Sequence, residues 1–242
     1  MADRPCLIRN ARILTLYGGE APRRGQALHD LGVIERGSLL MDAGRIVEVH
    51  AGDLPAPPDS EVVEADGRVV MPCFVDCHTH ACWVGERFDE FDQKREGATY
   101  LEILEAGGGI MSTVRSVRAA SESELESALR DRLDRMVRMG TGTAEVKSGY
   151  GLSTEAELKM LRAISAVRDD HPMLLEMTFM GAHAVDPEVP DFCERVITET
   201  LPEVARRFPG ITCDAYCEQG SWSLEACRRY FEEAQSMNCP TR

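Results

Sequence analysis

From Cys73 onward, strand-length apolar runs alternate with amphipathic helical stripes, and this order restricts the fold more than any other feature. Residues 73–78, 143–147, 174–180 and 211–217 read as strands. Residues 73–78 read as a buried one. After the first strand comes a long connection with Gly107, Gly108 and Gly109 in its middle. A helix is predicted from Ser121, which forms a capping box with Glu124, and its stripe is Leu125, Ala128, Leu129, Leu133 and Met136. Gly140 ends it. Thr154 with Glu157 reads as the cap of the next helix, which carries Leu158, Leu161 and Ile164. A helix over residues 192–208 contains Pro202, a kink or break. A last helix starts near Ser223. The expectation is an α/β protein whose residues 71–242 form a partial (β/α) TIM-type barrel of about four βα units. A closed eight-stranded barrel takes about 250 residues, more than follow Pro72. The sequence therefore describes either an open half-barrel or a truncated version of a longer protein. Truncation is favoured, because an unpaired parallel edge invites aggregation.

Residues 1–70 have a different pattern. Short apolar runs such as Ile13-Leu14-Thr15-Leu16 and Ile46-Val47-Glu48-Val49 are separated by turn signals. Asp42-Ala43-Gly44 and Ala65-Asp66-Gly67 read as hairpin turns, and residues 17–37 and 54–58 as loops. A small β-sandwich domain is expected here.

With 43% hydrophobic and 28% charged residues, the composition is that of a globular protein with a sizeable core. The formal net charge of −14 argues against nucleic acid and anionic membranes as partners. No apolar run resembles a signal peptide or a membrane span, so a cytoplasmic location is expected. Nine cysteines at irregular spacing read as mostly free thiols. Cys73, Cys77 and Cys82, and Cys213 with Cys217, do not match structural zinc spacings and read as buried small hydrophobes.

Polar residues gather at the predicted C-terminal ends of all four strands, where barrel enzymes place their chemistry. His78 and His80 close the first. Side chains two apart on a strand share a face, so these imidazoles converge as half of a zinc-type site. Arg87 follows, within an acidic stretch that it could merely balance. The second strand ends in Glu145, Lys147, Ser148, Gly149, Tyr150 and Gly151. Lys147 could form a structural ion pair with Glu145, and Tyr150 could be a turn residue. His183 follows the third strand and could equally be a satisfied buried histidine. Glu218 and Gln219 follow the fourth, where Glu218 could cap the next helix. The triple glycine lacks the Lys-Ser/Thr of a P-loop and does not follow a strand, and no G-x-S-x-G is present.

Residues 72–80, Pro-Cys-Phe-Val-Asp-Cys-His-Thr-His, resemble the first barrel strand of the amidohydrolase superfamily. Several further stretches resemble the imidazolonepropionase family. They are Gly85-Glu86-Arg87, Tyr100-Leu101-Glu102-Ile103, Glu145-Val146-Lys147-Ser148-Gly149-Tyr150-Gly151-Leu152, Gly181-Ala182-His183-Ala184 and Cys217-Glu218-Gln219-Gly220. The resemblance covers essentially the whole chain. It implies hydrolytic opening of 4-imidazolone-5-propanoate to N-formimidoyl-L-glutamate in histidine degradation. It implies one divalent or trivalent metal ion, Zn or Fe, held by His78 and His80. It also implies substrate binding by Arg87, Tyr150 and His183, and a homodimer. The family has Gly and Pro where this chain has Cys73 and Cys77. Its third metal histidine, a further catalytic histidine and a metal-binding aspartate fall on later barrel strands, beyond residue 242. The resemblance therefore also admits an alternative, a catalytically incompetent fragment or metal-binding remnant.

Overall fold

The computed structural model describes residues 4–19, 22–99, 102–103 and 106–242. Tyr100 and Leu101, part of one family-like stretch, lie outside the described residues. The chain divides into two units, Met1–Cys73 and Phe74–Arg242.

In the first unit, β1 (Cys6–Leu14) buries Leu7, Ala11 and Ile13, packs Ile8 against the same core and leaves Arg9 and Arg12 exposed. It pairs antiparallel with β2 (Val33–Asp42), which pairs antiparallel with β3 (Arg45–Ala51). The β2–β3 turn places Ala43 (φ 46°) and Gly44 (φ 73°) in the left-handed region, as a two-residue hairpin requires. Asp66 and Gly67 also have positive φ, but they do not make a hairpin. They join β4 (Glu61–Glu64) to β5 (Val69–Val70), and both strands run parallel to β1 along one edge. Among the described residues these strands form a single sheet around Ala11, Ile13, Leu39 and Ala65, with no second layer of a sandwich. The stretch expected as a loop over residues 17–37 contains a 3₁₀ turn, Gly25–His29, and the start of β2.

The second unit is a parallel sheet in the order β6 (Phe74–Thr79), β7 (Thr141–Lys147), β8 (Leu174–Ala182), β9 (Thr212–Ala215). Its central strands carry the buried Ala144, Val146, Leu175, Met177, Phe179 and Ala182. β6 corrects the expectation of a buried strand: Phe74 is 56% and Val75 68% exposed. It is an edge strand, hydrogen-bonded among the described residues to β7 alone.

The β6–β7 connection is more helical than its sequence suggested. It holds α1 (Phe88–Arg95), α2 (Ile110–Ala119) and α3 (Glu122–Arg138). The capping box on α3 is present, and Leu125, Leu129 and Leu133 are fully buried. α4 (Thr154–Arg168) is capped by Ser153, whose hydroxyl accepts from Ala156 N. The expected Thr154–Glu157 cap is therefore displaced by one residue, and Glu157 has another task. α5 (Phe192–Arg195) runs through a π-helical turn, Val196–Thr200, into α6 (Leu201–Arg207). Pro202 has no N–H for the α-helical ladder, and the widened turn just before it absorbs that loss without breaking the rod. α7 (Leu224–Ser236) is capped by Ser223 and buries Cys227, Tyr230 and Ala234. Beyond it, residues 240–242 return to lie parallel beside β9, with Cys213 N donating to Pro240 O at 2.7 Å.

All nine cysteines are free. Of those read as buried hydrophobes, only Cys82 and Cys213 are buried, whereas Cys73, Cys77 and Cys217 are exposed. Cys73 and Cys77 flank or lie on the exposed edge strand.

Candidate active site

The C-terminal ends of the parallel strands bring four of the sequence-selected side chains together. His78 lies on β6 and His80 just past its end, with ring centroids 5.5 Å apart. The His183 ring, after β8, stacks on His80 at 4.5 Å and 13°. Tyr150, after β7, lies 5.4 Å from His80 and 5.3 Å from His183. Burial, reinforced by the charges of His183, His78 and Lys147, lowers the pKa of His80 to about 4. At neutral pH His80 is thus an uncharged imidazole, the form that binds a metal ion. Among the described residues, its Nδ1 is buried without a hydrogen-bond partner. A pair of convergent imidazoles with one orphaned buried nitrogen fits a metal ion in chemical kind. Among the described residues, no group of three or more His, Cys, Asp or Glu side chains is arranged to hold one.

The loop over residues 148–152 sets Tyr150. Gly149 has φ +111°, and a Cβ there would sit 2.8 Å from Met180 O and 3.0 Å from the His183 Cβ, so only glycine fits. The Gly149 carbonyl accepts from His183 Nδ1 at 3.0 Å. Arg118 clamps the far end of the loop, donating to the carbonyls of Gly151 and Leu152. Burial raises the pKa of Tyr150, which keeps it a phenol able to donate a hydrogen bond.

Arg87 immediately precedes α1. Its guanidinium pairs with Glu90 at 2.6 Å, and the other Glu90 oxygen accepts from Gly109 N at 2.9 Å. The partner anticipated within the acidic stretch is thus present, and it also ties Arg87 to the glycine loop. The Arg87 charge is felt at the Tyr150 hydroxyl, whose pKa it pulls down against the larger effect of burial.

Beneath the rings lies a buried ion network. Lys147, 2% exposed, contacts Glu145 Oε2 at 2.9 Å and Asp214 Oδ2 at 2.8 Å. Glu145 also accepts from Arg242 at 2.8 Å and from the Thr178 hydroxyl. Lys147 therefore has the structural pairing foreseen for it, plus a cross-strand partner on β9. Glu218 accepts from Gln219 N and lines a cleft of about 1050 Å³ together with Gly107, Met111, Arg115, His183 and Tyr216. Sequence reasoning missed Asp214, Arg115 and Tyr216. Asp214 was hidden in an apolar-looking strand, and its only signal was a lone charge opposite Lys147.

No family model matches the chain. The chain is 43% identical over 240 residues to an imidazolonepropionase of Rubrobacter xylanophilus, covering 96% of this chain and 57% of that relative. It is a homologue of imidazolonepropionases. An imidazolonepropionase of Symbiobacterium thermophilum is 44% identical over 236 residues, covering 93% of this chain and 55% of the relative. One of Geobacillus kaustophilus is 40% identical over 245 residues, covering 96% and 58%. The chain thus spans a little over half the length of these imidazolonepropionases. Among solved structures, it is similar to a 5-methylcytosine deaminase from Klebsiella pneumoniae liganded with 5-fluorocytosine. The TM-score is 0.64 and the identity 16%, over 97% of this chain and 50% of the other. N-isopropylammelide isopropylaminohydrolase from Burkholderia multivorans gives a TM-score of 0.60 at 16% identity, over 99% and 52%. At such identities the likeness concerns the fold alone, a mixed α/β arrangement with a curved parallel sheet.

Proposed function

We propose that this chain carries the metal-pair and substrate-recognition portion of a cyclic amidohydrolase that opens 4-imidazolone-5-propanoate to N-formimidoyl-L-glutamate in histidine degradation. Support comes chiefly from one observation: His78, His80, Tyr150 and His183 converge at the ends of three neighbouring strands in a homologue of imidazolonepropionases. In this assignment His78 and His80 hold one zinc or iron ion. The ion, when bound, lowers the pKa of a water molecule and polarises the amide-like carbonyl. Arg87 receives the propanoate carboxylate as a charge-assisted partner. Tyr150 donates a hydrogen bond to the substrate, and His183 holds the ring carbonyl or its developing oxyanion. Buried Lys147 and Glu145, with the partly buried Asp214, form an ion network close to these groups.

The same proposal takes residues 71–242 as the N-terminal part of a (β/α) barrel and the single sheet of residues 1–70 as one layer of a small composite β-sandwich domain. It places the protein in the cytoplasm as a homodimer. Among the described residues, no helix is long and apolar enough to cross a membrane. The deciding experiment incubates the purified chain, loaded with zinc or iron, with the imidazolone and follows N-formimidoyl-L-glutamate by mass spectrometry. Metal-dependent product formation carries the hydrolase reading. A folded, metal-supplied chain that forms no product and loses its metal on dialysis would instead be a remnant without the activity.

A further inference from the structure

Glu157 lies on the first turn of α4, yet its side chain turns inward and is 1% exposed. Helix capping does not explain it, because Ser153 supplies the cap. Its Oε2 accepts from Gly149 N at 3.0 Å, and its Oε1 from Gly151 N at 2.7 Å and Leu152 N at 3.0 Å. The Ser148 hydroxyl is a fourth partner. A carboxylate offers about four lone-pair sites, and here four donors surround it. Burial pushes the carboxyl up and these bonds pull it down, with burial the larger effect.

The donors bracket Tyr150. The peptide before Gly149 and the two after Tyr150 are fixed by Glu157. The remaining peptide, Gly149–Tyr150, has its carbonyl on His183 Nδ1. A carbonyl only accepts, so this contact puts a proton on Nδ1 and leaves Nε2 as the ring nitrogen not engaged by the loop. We propose that Glu157 is the positioning residue of the site: by holding the loop it aims Tyr150 and fixes His183 in the Nδ1–H form, so that Nε2 is the atom offered to substrate. The substrate-facing role of these two rings rests on the function proposed above, whereas the coupling of Glu157 to the His183 proton does not.

The test reads imidazole protons by long-range ¹H–¹⁵N NMR in metal-free protein at neutral pH. Wild type is expected to show His183 protonated at Nδ1. His171 is an internal control of opposite kind, since its Nδ1 accepts from Met173 N at 3.1 Å. In Glu157→Gln the amide group cannot accept from both sides of the loop. His183 is then expected to shift toward the Nε2–H form, with His171 unchanged. Ser153→Ala, which weakens α4 without touching the loop, should leave the His183 signature intact. Amide exchange at Gly149, Gly151 and Leu152 should be slow in wild type and at least about tenfold faster in Glu157→Gln. An Nε2–H ring in wild type, or an unaltered His183 in folded Glu157→Gln, would overturn the proposal. If that variant does not fold, the wild-type exchange decides: open-loop rates at the three amides refute the clamp. None of these readouts needs turnover, so an inactive wild type would defeat the hydrolase assignment and leave this one standing.

Discussion

Replacing Lys147 with methionine is expected to destabilise the protein by about 3–5 kcal/mol, the usual loss when one partner of a buried ion pair is removed. Methionine fills a similar volume, so the effect is electrostatic rather than a cavity. Without the ammonium, Glu145 Oε2 and Asp214 Oδ2 face each other across β7 and β9 with no cation between them. Arg242 and the Thr178 hydroxyl still serve the other Glu145 oxygen, and they limit the loss. The triple change Glu145→Gln, Lys147→Met and Asp214→Asn should recover part of it, because it removes the stranded charges. Urea denaturation followed by circular dichroism reads the difference directly. A loss below about 1 kcal/mol, the range of surface pairs, would mean that water reaches this network.

Replacing Arg87 with alanine is expected to weaken substrate binding by about 10- to 100-fold, the range of a hydrogen bond to a charged group. In a turnover assay this appears in KM, with kcat little changed, because the propanoate carboxylate does not react. Lysine at this position should restore part of the affinity as a point charge without the planar fork. Glu90→Gln separates the two roles open to Arg87. If Arg87 only balances Glu90 and anchors the glycine loop, both variants lose affinity equally. If it binds the carboxylate, Glu90→Gln costs far less.

Much of the scaffold was legible because its signals are local. Ser121 with Glu124, Ser223, and the leucine stripe of α3 depend on neighbours within one or two turns of chain. The grouping of His78, His80, Tyr150 and His183 was legible because parallel strands deliver their ends to one side. The failures have physical causes of another kind. β6 reads as buried because its composition is apolar, but Phe74 and Val75 are exposed, because an apolar run does not reveal what covers the faces of its strand. α1 and α2 are hidden in a connection whose glycines and charges mask its helical period. Glu157 occupies a position three residues from a plausible cap, and only the path of the chain shows its carboxylate meeting a loop instead. Asp214 has no local signature, because its partner lies two strands away.

The central claim is that the rings at the strand ends, with Arg87, form one binding site for an imidazole-type ring bearing a propanoate. Its most direct test is a ¹H–¹⁵N titration of the metal-supplied protein with imidazole-4-propanoate, a stable analogue of the proposed substrate. The expected result is saturable shifts centred on Gly149, Tyr150, His183 and Arg87, largely lost in Arg87→Ala. Shifts confined to another hollow, such as the one lined by Arg118, Arg195 and Thr200, or no shifts at high ligand concentration, would contradict it.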